Sequence, residues 1–180
     1  MKRLFVFTFV LVTVFIFVLS LPFTVTACRA GRRSYRFLSV QNSNGDMIYY
    51  GMPLNVAERI LGRPIRILTN KYDFGGFRVY RGGVTIMLNA DGHIFHVSIR
   101  DGGWRTTDNV EVGVTTLCEL RTQYAPYLRN HRDSDSVFEL FLDNNRRLLH
   151  HGNGGYEYII AFRINPDNNI VSFISFGSRE

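Results

Sequence analysis

Cysteine is almost missing from this chain: Cys28 and Cys118 are its two. That excludes a disulfide scaffold and a four-cysteine zinc site. Lysine is as scarce, at Lys2 and Lys71, so arginine carries the positive charge. The first 27 residues hold no acid. Without Lys2 and Arg3, 19 basic residues face 15 acidic ones, a net charge of +4. So modest a charge, borne by arginine, excludes a polybasic nucleic-acid tail, and no nucleic-acid partner is expected. Neither a P-loop nor a Gly-x-Ser-x-Gly elbow occurs. What is present is a globular composition, 46% hydrophobic and 14% aromatic. The 180 residues allow one ordinary domain or two small ones sharing a core.

Met1-Lys2-Arg3 forms a short positive head before an apolar run from Leu4 to Leu21. Residues 1–27 therefore read as a secretory signal. An uncleaved membrane helix is the alternative, because the run sits at the lower edge of a spanning length. Val25-Thr26-Ala27-Cys28 resembles the bacterial lipobox. That resemblance implies that Cys28 is acylated and becomes the N-terminus of a membrane-anchored envelope protein. Each buried methylene of the lipid would add ~0.8 kcal/mol. Position 29 is Arg rather than Asp, which by the same resemblance fits outer-membrane sorting. Residues 28–44 read as a lipidated tether. Its arginines could meet anionic head groups or simply be solvated.

The remaining chain contains a weak internal repeat. Asp46-Met-Ile48 to Gly51 matches Asp108-Asn-Val110 to Gly113 at an offset of 62, and Leu88-Asn89 to Val97 matches Ile164-Asn165 to Phe173 at an offset of 76. Each copy reads as a short helix, Pro53–Gly62 or Thr115–Tyr124, followed by strands. In the first copy these are Phe77–Tyr80, Val84–Leu88 and His93–Ile99. In the second they are Val137–Leu142, Arg146–His150, Tyr156–Ile164 and Asn169–Phe176. The expected fold is α+β: two tandem helix-plus-antiparallel-meander units, over 45–107 and 108–180, with helices packed on one sheet face.

Gly51 and Val56 leading to Leu61-Gly62 and Pro64, and the tract Trp104-Arg-Thr106 to Gly113, resemble the small outer-membrane assembly lipoproteins of the SmpA/OmlA type. A tandem of such units is similar in plan to the secreted β-lactamase-inhibitor proteins. The assembly lipoproteins usually carry one unit, and the inhibitors carry disulfides this chain cannot make. No partner-contact residue is carried over from either.

Chemistry is sparse. Cys118 falls between Leu117 and Leu120 and reads as a buried structural thiol rather than a nucleophile. The five histidines show no convergent spacing for a metal, and the Asp133 and Asp143 clusters read as turn residues rather than calcium loops. No cofactor is expected. Projecting the repeat assigns Ile160, Phe162, Ile164, Val171 and Phe173 to the core of the second copy. The outer sheet face is then expected to carry Arg78, Tyr80, Met87, His96 and Arg100 from the first copy, and Ile159, Arg163, Ile170, Ile174 and Phe176 from the second. Such a mixed apolar and basic face needs cover, by the chain itself or by a partner. The reading is a non-catalytic interaction module, scaffold or inhibitor, that binds another envelope protein. An enzyme acting on an envelope substrate and a purely structural lipoprotein are the alternatives.

Overall fold

The computed structural model describes residues 37–68, 76–131, 134–150 and 155–178. The signal segment, Cys28 and the tether as far as Arg36 lie outside the described residues. So do Asp133, expected in a turn, and His151 to Gly154.

The chain is mostly β, and this overturns the expected α+β arrangement of helix-packed units. Strands β1 (Ser39–Asn42) and β2 (Met47–Tyr49) come first, followed by helix α1 (Leu54–Leu61). Next are β3 (Arg66–Leu68), β4 (Phe77–Val79), β5 (Val84–Leu88), β6 (Ile94–Ile99) and β7 (Trp104–Thr106). Helix α2 (Leu117–Tyr124) precedes β8 (Arg129–His131), β9 (Ser134–Leu142), β10 (Tyr158–Asn165) and β11 (Ile170–Ser178). Each helix has only eight residues. That is too few to form a layer over so wide a sheet, since eight residues span only about 12 Å.

Eight strands form one antiparallel sheet in the order β3-β4-β5-β6-β11-β10-β9-β8. The last strand of each half, β6 and β11, therefore meet at its centre. A second sheet, β2-β1-β7, has three strands. The residues from Phe37 to Asn44 are thus folded, not tether. Leu38, Ser39 and Val40 are fully buried, and β1 is the middle strand of the small sheet. The strand expected over Arg146–His150 does not form. Arg146 turns at φ 60° and the segment makes only an isolated bridge, Leu142 to Leu148.

One face of the large sheet is covered. Cross-strand neighbours Val84–Ile99–Ile174–Phe162–Phe138 and Ile86–Val97–Phe176–Ile160–Leu140 form two buried rows across it. The same hydrophobic core takes in Leu38, Val40 and Ile48 of the small sheet region. Tyr50, just after β2, meets Tyr158 edge-on at 5.1 Å, and Tyr124 of α2 stacks on Phe162 at 6.3 Å.

The helix starts are locked to the sheet in parallel ways. The amides of Gly51 and Leu54 donate to the carbonyls of Ile94 and Gly92, and those of Gly113 and Leu117 donate to Val171 and Asn169. A capping box between Thr116 and Glu119 adds to the second lock. It also holds the Glu119 carboxyl below its usual pKa, first through the Thr116 backbone amide and then its hydroxyl.

Candidate functional site

Among the described residues, no second layer covers the opposite face of the large sheet. Its rows follow from strand register: Met87, His96, Gly177, Ile159 and Phe141 in one, and Thr85, Ser98, Ser175, Ala161 and Glu139 in the next. A third row holds Phe173, Arg163 and Val137. Arg100 lies beside Phe173, its guanidinium carbon 5.7 Å from the ring centroid. Most of these side chains are half-buried, as on a sheet with one solvated side.

Of the ten surface residues expected from sequence, five meet here: Met87, His96, Arg100, Ile159 and Arg163. Four others lie on the covered side. Ile174 is fully buried and Phe176 is 1% exposed. Tyr80 is 1% exposed, and burial, with some help from Glu58 of α1, pushes its phenol up to about 12. Arg78 pairs in register with Ile86 and so points to the same covered side. The tenth, Ile170, is half-buried at the start of β11, bridged to Thr116 before α2.

The error at Ile174 and Phe176 has a definite cause. Leu88 pairs with Ile94 across the β5–β6 turn, but Ile164 pairs with Val171 across the β10–β11 turn, which is one residue longer. The repeat offset is therefore 76 along β10 and 77 along β11. In a strand, a slip of one residue exchanges the two faces. Phe173, expected in the core, instead turns outward, and Ile174 and Phe176 turn inward. Both hairpins carry a bulge at the matching place, Phe95 in β6 and Ser172 in β11, where the register shifts.

His96 lies against β11 where only glycine fits. A Cβ on Gly177 would come within 2.7 Å of His96 Nδ1 and 2.8 Å of the Phe95 carbonyl oxygen. His96 Nε2 is 3.2 Å from Ser98 Oγ, and burial pulls the imidazole pKa below its ordinary value. At the β8 edge, Glu139 is half-buried with its pKa raised by burial, partly offset by His131, whose Nε2 is 3.7 Å away, and by Arg129. Arg129 covers Phe141 at 4.9 Å, and Tyr156 packs on the same ring at 4.5 Å. This end of the open face is closed by its own side chains.

The Arg100 end is different. Arg163 also stands over the Phe173 ring, at 5.9 Å, and both arginines are exposed. With Ser172 they line a cleft of about 180 Å³. Phe173 was missed from sequence because of the longer turn; a residue count between paired turn asparagines, Asn89 to Ile94 against Asn165 to Val171, holds the signal.

Cys118 is exposed and not the buried thiol expected. The inward positions of α2 are Leu120 and Tyr124, and Cys118 lies two residues from Leu120, on another side of a helix with 3.6 residues per turn. Among the described residues, no group of three or more His, Cys, Asp or Glu is placed to hold a metal, and no helix is long and apolar enough to cross a membrane.

No protein-family model matches the chain, and no curated protein matches it. Among solved structures, it is similar to the crystal structure of a DUF4309 family protein, YjgB, from Bacillus subtilis, with 16% identity and a TM-score of 0.42. The match covers 69% of this chain and 77% of that one. No residue role is carried over from it.

Proposed function

We propose that this chain is a lipid-anchored envelope protein that binds another envelope protein through the open face of its large sheet, as a non-catalytic scaffold or inhibitor. The observation that carries the reading is that face itself. It presents half-buried Met87, Ile159, Val137 and Phe173 beside exposed Arg100 and Arg163, while the core and both helix contacts lie on the other side. Aromatic residues, Met and Arg are the types enriched where proteins meet. The anchor and the envelope location rest on the signal-like segment and on Cys28.

The test is site-specific crosslinking of the full chain in its own cells. Ile159→Asp places a charge in the middle of the open face, where docking would desolvate it without a partner. Capture of the partner should fall at least tenfold while the melting temperature stays close to wild type. Unchanged capture overturns the interface. For the anchor, Cys28→Ser should abolish acylation and leave an unprocessed precursor; normal processing defeats that part.

A further inference from the structure

We infer that Arg100 and Arg163, on either side of Phe173, form a carboxylate clamp for an acidic segment of a protein partner, an inference that rests on the interaction reading above. Three neighbouring strands build it. Arg163 of β10 pairs in register with Phe173 of β11, and Arg100 follows directly after β6. Both guanidinium carbons lie within 6 Å of one ring, at 5.7 and 5.9 Å, so stacking holds the two forks in place before any ligand arrives. Among the described residues neither arginine makes an ion pair, and no side-chain hydrogen bond engages either guanidinium.

Two cations on one ring repel each other, and a single anion between them relieves the repulsion. The cleft they share, about 180 Å³, has room for a side-chain carboxylate and a few waters. An arginine fork matches a carboxylate with two parallel N–H donors. The surroundings favour a protein over a lipid surface: the clamp lies within a broad sheet face of half-buried apolar side chains, with Val137 beside Arg163.

The full-length chain in a zwitterionic detergent is titrated with a dansylated peptide of repeated Glu-Glu-Phe and with its Gln-Gln-Phe counterpart. The acidic peptide should bind about ten- to a hundredfold tighter, and added salt should erode the difference. Arg100→Gln with Arg163→Gln should abolish the preference with the melting temperature held. Lysine at both positions should retain part of it, because charge survives and the fork does not. Equal binding of the two peptides, or a preference that survives the glutamine pair, overturns the clamp. Arginine-dependent binding to phosphatidylglycerol vesicles over phosphatidylcholine, without peptide preference, also overturns it, in favour of a membrane surface. The Ile159→Asp capture experiment reads the broader proposal separately. Loss of peptide preference with Ile159-dependent capture intact overturns the clamp alone. Unchanged capture with the peptide preference intact overturns the interface but not the anion selectivity.

Discussion

At the centre of the large sheet, β6 and β11 cross as antiparallel neighbours, and the two ends of that crossing occupy equivalent positions. Val97 pairs with Phe176 and Ile99 with Ile174, so each residue of β6 corresponds to one 77 positions later in β11. By that relation His96 corresponds to Phe173, and Arg100 to Gly177. The backbones match, but the chemistry does not. At one end a neutral imidazole lies on a glycine; at the other, an arginine lies on a phenyl ring. The first pair fills its own space. The second leaves a charged cleft, completed by Arg163. Equivalent geometry therefore produces one packed end and one end equipped for an anion. Four measurements test whether the two ends differ in this way.

The largest effect belongs to the neighbours Phe173 and Ile174, which face opposite ways. Ile174→Ala should cost about 2–5 kcal/mol, as for a fully buried aliphatic side chain. Ile174→Asp should unfold the chain. Phe173→Ala should cost less, because its ring is only half-buried. Denaturant melts of both variants check this; similar losses at the two sites would defeat the face assignment.

Gly177→Ala should cost about 1–3 kcal/mol, since part of the clash is with the immovable Phe95 carbonyl. Arg100, its counterpart, should tolerate Ala almost without loss. Thermal unfolding of the two variants separates packed end from open end.

Asn169 and Gly92 hold equivalent places in the two turns, with φ of 56° and 76°, and their carbonyls anchor Leu117 and Leu54. A β-branched residue is strained there, so Asn169→Val should cost about 1–2 kcal/mol, against a few tenths for Asn169→Gly. Hydrogen exchange at the Leu117 amide would report the loosened lock.

The smallest effect is the pH response of His96. Burial lowers its pKa, so the folded state favours the neutral ring. The resulting stability is complete above the unfolded value of ~6.5 and declines as pH falls through the lowered folded value. His96→Gln should flatten the slope of stability between neutral and mildly acidic pH. Phe173, in the equivalent place, cannot titrate, and its replacement should leave that slope alone.

Much of the local structure was legible. Helices expected over Pro53–Gly62 and Thr115–Tyr124 appear as Leu54–Leu61 and Leu117–Tyr124, and the strand Val84–Leu88 has the expected bounds. Alternation and turn residues mark such elements directly. The short strands β1, β2, β3, β7 and β8 were not legible. Three or four residues carry too little alternation, and β1 looked like a polar linker because its burial depends on β2 and β7 on either side.

Where the chain turns, where the two helices among the described residues start and which strands alternate could be read from local sequence, because those features follow from contacts between residues close along the chain. Which face each strand presents was decided only in three dimensions. One added residue in the β10–β11 turn moves Ile174 and Phe176 into the core and brings Phe173 out between Arg100 and Arg163. The physical reason is that strand pairing counts residues two by two. A slip too small to disturb a hydrophobic pattern, combined with the bulge at Ser172, exchanges the faces from Phe173 onward while Val171 stays buried, and only the partner strand shows which register was taken.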